Sequence, residues 1–117
     1  MKVSFDFDGT IANNKQLQKL ARTLIHSGSE VFIITSRHFD NEKRVREVHE
    51  FAKKQGIKKS RIIFTPLEEK WKHVKRLKID LHFDDDFVDV DQINTELPYR
   101  AMYVGYEMSQ LKNDDTI

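Results

Sequence analysis

The chain has 117 residues and no cysteine: enough length for one buried core but not two, and no means of forming disulfides or thiolate metal sites. Its 20 Lys and Arg against 19 Asp and Glu give a balance that alone points to no polyanion or lipid surface. No uninterrupted apolar run exceeds Val31 to Ile34, far short of a membrane span or a secretory leader, so a cytoplasmic protein with no membrane partner is expected.

The charges are nevertheless segregated. Lys and Arg stand against Asp and Glu as 4 to 3 in residues 1–36, 14 to 6 in residues 37–78 and 2 to 10 in residues 79–117. A basic middle and an acidic end are what two solvated helix faces would give, and also what a polyanion surface beside a cation-binding cluster would give.

Residues 2–7 read as a strand. Alternation puts Val3, Phe5 and Phe7 on one face and Ser4, Asp6 and Asp8 on the other. Two like charges ~6–7 Å apart repel by about 2–3 kcal/mol at an effective dielectric of about 20, so something positive is expected beside them. The stretch NNKQLQKLARTLIHSG then places Leu17, Leu20, Ala21, Leu24 and Ile25 at helical spacing, with Gly28 as the stop. EVFIITSR follows as a strand apolar on both faces, as in a central parallel strand. Helical spacing resumes from about Asn41 to Gln55, with Val45, Val48 and Ala52 inward and Gly56 closing it.

RIIFT is the third strand, and it runs into a predicted helix start: Thr65 as N-cap, Pro66 in the first position, Glu68 three residues after the cap. Leu67, Trp71, Val74 and Leu77 form the inward stripe of that helix. IDLHF is the fourth strand and delivers Asp84, Asp85 and Asp86; a helix over about Phe87 to Leu97 and a last strand, RAMYV, complete the pattern. The fold class expected is α/β: a single Rossmann-like αβα domain over residues 1–104 with a five-stranded parallel sheet in the order 5-4-1-2-3, followed by a tail over residues 105–117.

In such sheets ligands bind at the carboxyl ends of the strands. Here those ends carry Asp6 and Asp8, then Thr35, Ser36 and Arg37, then Thr65, then Asp84 and Asp85. Lys70 borders the inward stripe one turn from the predicted helix start, beside that rim, whereas Lys72 points away. Four carboxylates around one crevice call for a divalent cation, and oxygen donors without His or Cys favour magnesium. A metal and an ammonium neutralise phosphoryl oxygens, a hydroxyl from Thr35 or its rival Ser36 hydrogen-bonds one, and carboxylates supply nucleophile and acid–base. Arg37 and His38 stand close enough to the rim to contact substrate. Asp86, Asp89 and Asp91 read as solvated acids at a helix start, and His82 as a packed residue. A calcium loop over SFDFDGTIANNK fails because Ser4 and Lys15 occupy positions that need acids.

FDFDGTIA, VFIITSR, Lys70 and LHFDDD resemble the four motifs of the haloacid dehalogenase superfamily of phosphohydrolases, in the family's order and within residues 3–86. The resemblance implies Asp6 as the nucleophile that forms a phosphoaspartate and Asp8 as general acid and base, its backbone carbonyl also facing the metal. It implies Thr35 and Lys70 as the phosphoryl contacts, and Asp84 and Asp85 as completing a magnesium shell. Members usually carry an inserted cap domain, but Gly9 to Asn14 is too short to hold one, and residues 36–69 hold only a helix, a strand and links. The expectation is therefore a capless phosphatase whose open site takes a bulky phosphorylated substrate, such as a nucleotide or a nucleic-acid 3′-phosphate, or is closed by a second copy in a homo-oligomer. The competing expectation is a non-catalytic domain that keeps the fold and binds metal or phosphate.

Overall fold

The computed structural model describes residues 1–105, so the expected tail lies outside the described residues but for Gly105. Five parallel strands, β1 (Lys2–Phe5), β2 (Glu30–Thr35), β3 (Ile62–Phe64), β4 (Leu81–Asp84) and β5 (Ala101–Tyr103), form one sheet. Their spatial order is β3-β2-β1-β4-β5, the expected 5-4-1-2-3 seen from the opposite edge. Helices α1 (Lys15–His26), α2 (Glu42–Gln55), α3 (Lys70–Arg76) and α4 (Phe87–Glu96) connect them, with short 3-10 turns at Ile11–Asn13 and Lys59–Arg61.

The pleat sorts the core into two layers. Val3, Phe5, Val31 and Ile33 face α1 and α2 and pack against Leu17, Ala21, Val48 and Ala52. Phe32 and Ile34 point the other way and pack with Val74, Ile79 and Ile93 of the α3–α4 layer. Fully burying a side chain such as Phe5 or Ile33 stabilises the fold by ~1.5–3 kcal/mol, and these two layers clamp the central strands from both sides. Helix ends follow the sequence signals: Asn14 and Asn41 accept the amides of Leu17 and Arg44, and Gly56 closes α2 at φ 82°.

The third helix departs from expectation. It begins at Lys70, not Pro66, and Thr65 caps nothing. Instead the carbonyl of Thr65 accepts the amide of Glu68, with Pro66 and Leu67 in the middle and Leu67 at φ 61°. Proline second and a left-handed residue third make a type II turn. Leu67 is therefore 98% exposed rather than inward, while Trp71, Val74 and Leu77 pack as expected. Pro66 fits both a helix start and a turn, and the short run after it decides for the turn because Lys70 has partners at the sheet edge.

Candidate active site

Four of the expected residues converge. Ser4 in β1 and Asp6 just after it share the face turned to α3 and α4; in β4, His82 and Asp84 do the same, and the register pairs Ser4 with His82. Asp6 is thereby carried next to Asp84 at the carboxyl end of the sheet. Lys70, in the first turn of α3, reaches between them: its Nζ is 2.8 Å from Asp6 Oδ1, 2.8 Å from Asp84 Oδ2 and 3.6 Å from Asp89 Oδ2. Lys70 and Val74, one helical turn apart, are both buried, which fixes the lysine on the sheet side of the helix.

The residues following β1 complete the cluster. Gly9 turns the chain at φ 72°, and a Cβ there would collide with the carboxylate of Asp85. The buried hydroxyl of Thr10 lies 3.0 Å from Asp6 Oδ2 and 3.2 Å from Asp85 Oδ1 and accepts the Asp85 amide at 3.1 Å. Asp6, Asp84 and Asp85 each offer an oxygen within 4.8 Å of the others, Asp85 being the most accessible of the three.

Burial, only partly offset by Lys70 and reinforced by the Asp84 charge, pushes the Asp6 carboxyl up to about 7. Asp84 is as buried, but the donors His82 and Lys70 outweigh that and hold it below the usual carboxylate range. The difference is one of donors. Asp84 receives His82 Nε2 at 2.8 Å, Lys70 and the Asp86 amide at 3.0 Å, whereas among the described residues Asp6 has only Lys70 and Thr10. Burial lowers the His82 pKa, so its ring is neutral, Nε2 donates to Asp84, and the Ser4 hydroxyl donates to Nδ1 at 2.7 Å. Burial also works against the Lys70 charge, but Asp6 and Asp84 together raise its pKa above the ordinary lysine value. One ammonium thus leaves three acids undercompensated, and an all-carboxylate donor set of this kind suits a hard divalent cation such as magnesium.

The remaining expected residues stand apart from this cluster. Asp8 turns away: both its oxygens are held by Arg37, Nε to Oδ2 at 2.8 Å and a terminal nitrogen to Oδ1 at 2.7 Å. Those hydrogen bonds keep the Asp8 carboxyl below its usual range. Thr35 is buried at the end of β2, where its Oγ1 accepts the Arg37 amide at 3.2 Å; among the described residues its hydroxyl donates to nothing. Ser36 is exposed and lines a cleft of about 360 Å³ with Asp8, Arg37, His38 and Arg44.

Three participants escaped the sequence reading. Thr10 follows Gly9 directly, and a hydroxyl just past a turn beside two acids was the available signal. Asp89 faces Lys70 from α4 rather than solvent alone. His82 is packed as expected, but also braces Asp84, which the alternation S-F-D against H-F-D hints at once the two strands are paired. Asp86 caps α4 through the amides of Val88 and Asp89, as a helix-start acid should. No family model matches the chain, and no curated protein matches it.

Proposed function

We propose that the protein is a magnesium-dependent phosphomonoester hydrolase that works through a phosphoaspartate at Asp6. The observation that carries this reading is the Asp6–Lys70–Asp84 cluster at the strand ends, with Asp85 beside it. Asp6, Asp84 and Asp85, with the Asp8 carbonyl, are the groups that would hold magnesium; when bound it neutralises phosphoryl charge and screens the acids from one another. Lys70 offers a second positive charge to the phosphoryl oxygens, and the uncommitted proton of Thr35 or the exposed hydroxyl of Ser36 donates to a third contact.

In the first step an Asp6 oxygen attacks phosphorus, the ester P–O bond breaks, and the leaving oxygen takes a proton from Asp8. In the second, Asp8 removes a proton from water, the water oxygen attacks phosphorus, and the P–Oδ bond to Asp6 breaks to release inorganic phosphate. Substrate enters from an open rim: the Gly9 turn and a 3-10 turn separate β1 from α1, and between β2 and α3 the elements are α2, a 3-10 turn and β3, joined by short links. The charge excess of residues 37–78 favours a nucleotide or nucleic-acid 3′-phosphate among phosphomonoesters.

The pairing of Asp8 with Arg37 favours a second reading, a non-catalytic domain that binds metal and phosphate. Turnover of adenosine 3′-phosphate, an oligonucleotide 3′-phosphate and a sugar phosphate, with and without magnesium, separates the two. Magnesium-dependent release of phosphate, lost in Asp6→Asn, supports the hydrolase; phosphate binding without release by the wild type supports the binding domain. Equal, salt-insensitive rates on the oligonucleotide and the sugar phosphate would remove the nucleic-acid preference.

A further inference from the structure

The Arg37 side chain is only 8% exposed although it sits at the rim. Its guanidinium is fixed on three sides without help from Asp8: it lies over the Phe7 ring, 4.8 Å from the centroid, and one terminal nitrogen donates to the Arg44 carbonyl at 2.7 Å and to Glu47 at 3.2 Å. What remains is the Nε edge and the other terminal nitrogen, a fork turned toward the cleft and shaped for two oxygens of one anion. Asp8 occupies that fork, with its own side chain 53% exposed. A second guanidinium, Arg44, faces the same carboxylate at 3.8 Å and donates no hydrogen bond among the described residues.

The fork is thus built as an oxyanion site, and its present occupant is the carboxylate that proton transfer requires elsewhere. With both oxygens on Arg37, Asp8 is absent from the Asp6–Asp84–Asp85 group two residues away in sequence. We propose that the cleft lined by Ser36, Arg37, His38 and Arg44 binds a second anionic group of the substrate. That group takes the place of Asp8 on Arg37 and so frees Asp8 to face the reacting phosphoryl. The inference rests on the hydrolase reading and narrows its substrate class to phosphomonoesters bearing one further oxyanion, a monoester or a diester phosphate. Asp40 lines the same cleft and Glu47 holds Arg37 from behind, so the local charge accommodates one additional anion rather than a long polyanion. A substrate lacking the second anion leaves Asp8 on Arg37 and turns over slowly.

The test compares adenosine 3′-phosphate, adenosine 3′,5′-bisphosphate and a dinucleotide 3′-phosphate, whose extra anion is a diester. Rates are measured with magnesium on the wild type and Arg37→Ala. Affinities are measured by calorimetry on both and on Asp8→Asn. The expected result is a kcat/KM at least about tenfold higher for the substrates with a second anion, as one charge-assisted bidentate contact gives. Arg37→Ala brings the ratio to about one, the substrates with a second anion losing their advantage over adenosine 3′-phosphate. Asp8→Asn, which removes the competing charge while keeping the shape, widens the affinity ratio, and this variant decides if Arg37→Ala does not fold. A preference for only one of the two larger substrates assigns the monoester or the diester as the anion the cleft takes.

Equal kcat/KM on all three in the wild type, or an equal fall on all three in Arg37→Ala, overturns the proposal and leaves the hydrolase reading standing. If the wild type hydrolyses none of them, the hydrolase reading fails and the affinities decide the cleft separately. A tenfold binding preference lost in Arg37→Ala sustains it as an anion site, and no preference overturns it.

Discussion

Lys70 Nζ lies 2.8 Å from Asp6 Oδ1 with the two side chains only 4% and 8% exposed, so this ion pair is almost entirely withdrawn from water. Removing one partner of such a pair costs far more than a surface bridge contributes, because the other charge stays buried. Lys70→Met keeps most of the apolar stem and leaves Asp6, Asp84 and Asp89 facing one another. A loss of about 3–5 kcal/mol at pH 8 is expected in urea unfolding. The loss should shrink toward pH 5, where Asp6 takes up a proton; a loss below ~1 kcal/mol at pH 8 would show that Lys70 is not the counterion of the cluster.

Asp6 sets a pH dependence whose sign can be worked out. Its carboxyl titrates at about 7 in the fold against 3.8 when unperturbed, so between those values the folded state holds more protons than the unfolded one. Stability contributed at Asp6 therefore falls as pH rises from 3.8 to about 7, the reverse of an acid held in a salt bridge. Asp8 and Asp84, with lowered pKa values, act below 3.8, while His82, lowered from 6.5, works in the opposite direction inside the Asp6 window. Comparison with Asp6→Asn isolates the contribution of this carboxyl. The variant should gain on the wild type by ~1 kcal/mol or more, about 4–8 °C in Tm, as pH is raised from 4 to 8. Magnesium should raise the wild-type Tm more at pH 8 than at pH 5, since ion and proton compete for Asp6; a shift independent of pH would place the metal elsewhere.

How much of this was legible in the sequence depended on period. A period of two carried Ser4 and Asp6, and His82 and Asp84, to one face each, and the parallel order 3-2-1-4-5 brought those faces side by side. The fold and the acid cluster followed from that. The inward stripe that Lys70 borders was read with Leu67 in it, a residue that is not in the helix; the lysine still lies on the sheet side because Trp71, Val74 and Leu77 alone define the same stripe. What stayed hidden was decided by rotamers and not by period. Asp8 shares a strand face with Asp6 by alternation, but the ladder reaches only as far as the Asp6 amide, which bonds the Phe83 carbonyl; Asp8 lies past it, and there an arginine two residues after β2 captures it. Thr10 and Asp89 likewise depend on how a turn and a helix start settle against neighbouring acids.

Gly9 couples the turn to the metal-ligand candidate Asp85. A Cβ at this position meets the Asp85 carboxylate, and φ 72° is unfavourable for any side chain. Gly9→Ala should cost at least ~1–2 kcal/mol from the left-handed backbone alone. Further loss should come from moving Asp85, together with a weaker response of Tm to magnesium. In the double variant Gly9→Ala with Asp85→Ala the collision is gone, so the stability should recover toward the backbone cost while the magnesium response does not. Additive losses in the two single variants would mean that Gly9 and Asp85 do not touch.

Leu67 distinguishes the turn from the helix start that the sequence suggested. In the observed turn it is exposed, buries nothing and holds φ 61°, a conformation glycine adopts freely and leucine does not. Leu67→Gly relieves about 1–2 kcal/mol of backbone strain and loses about 0.4–1 kcal/mol to the greater freedom of the unfolded chain. A net gain of ~0.5 kcal/mol, or at worst no change, is expected in urea unfolding. Were residues 66–69 the first turn of a helix, the same substitution would cost ~1 kcal/mol. Because the turn hands the chain directly to Lys70, it also sets where the ammonium enters the acid cluster. Leu67→Pro, which cannot take a positive φ, should therefore lower both stability and the magnesium response, whereas Leu67→Gly should leave the latter unchanged.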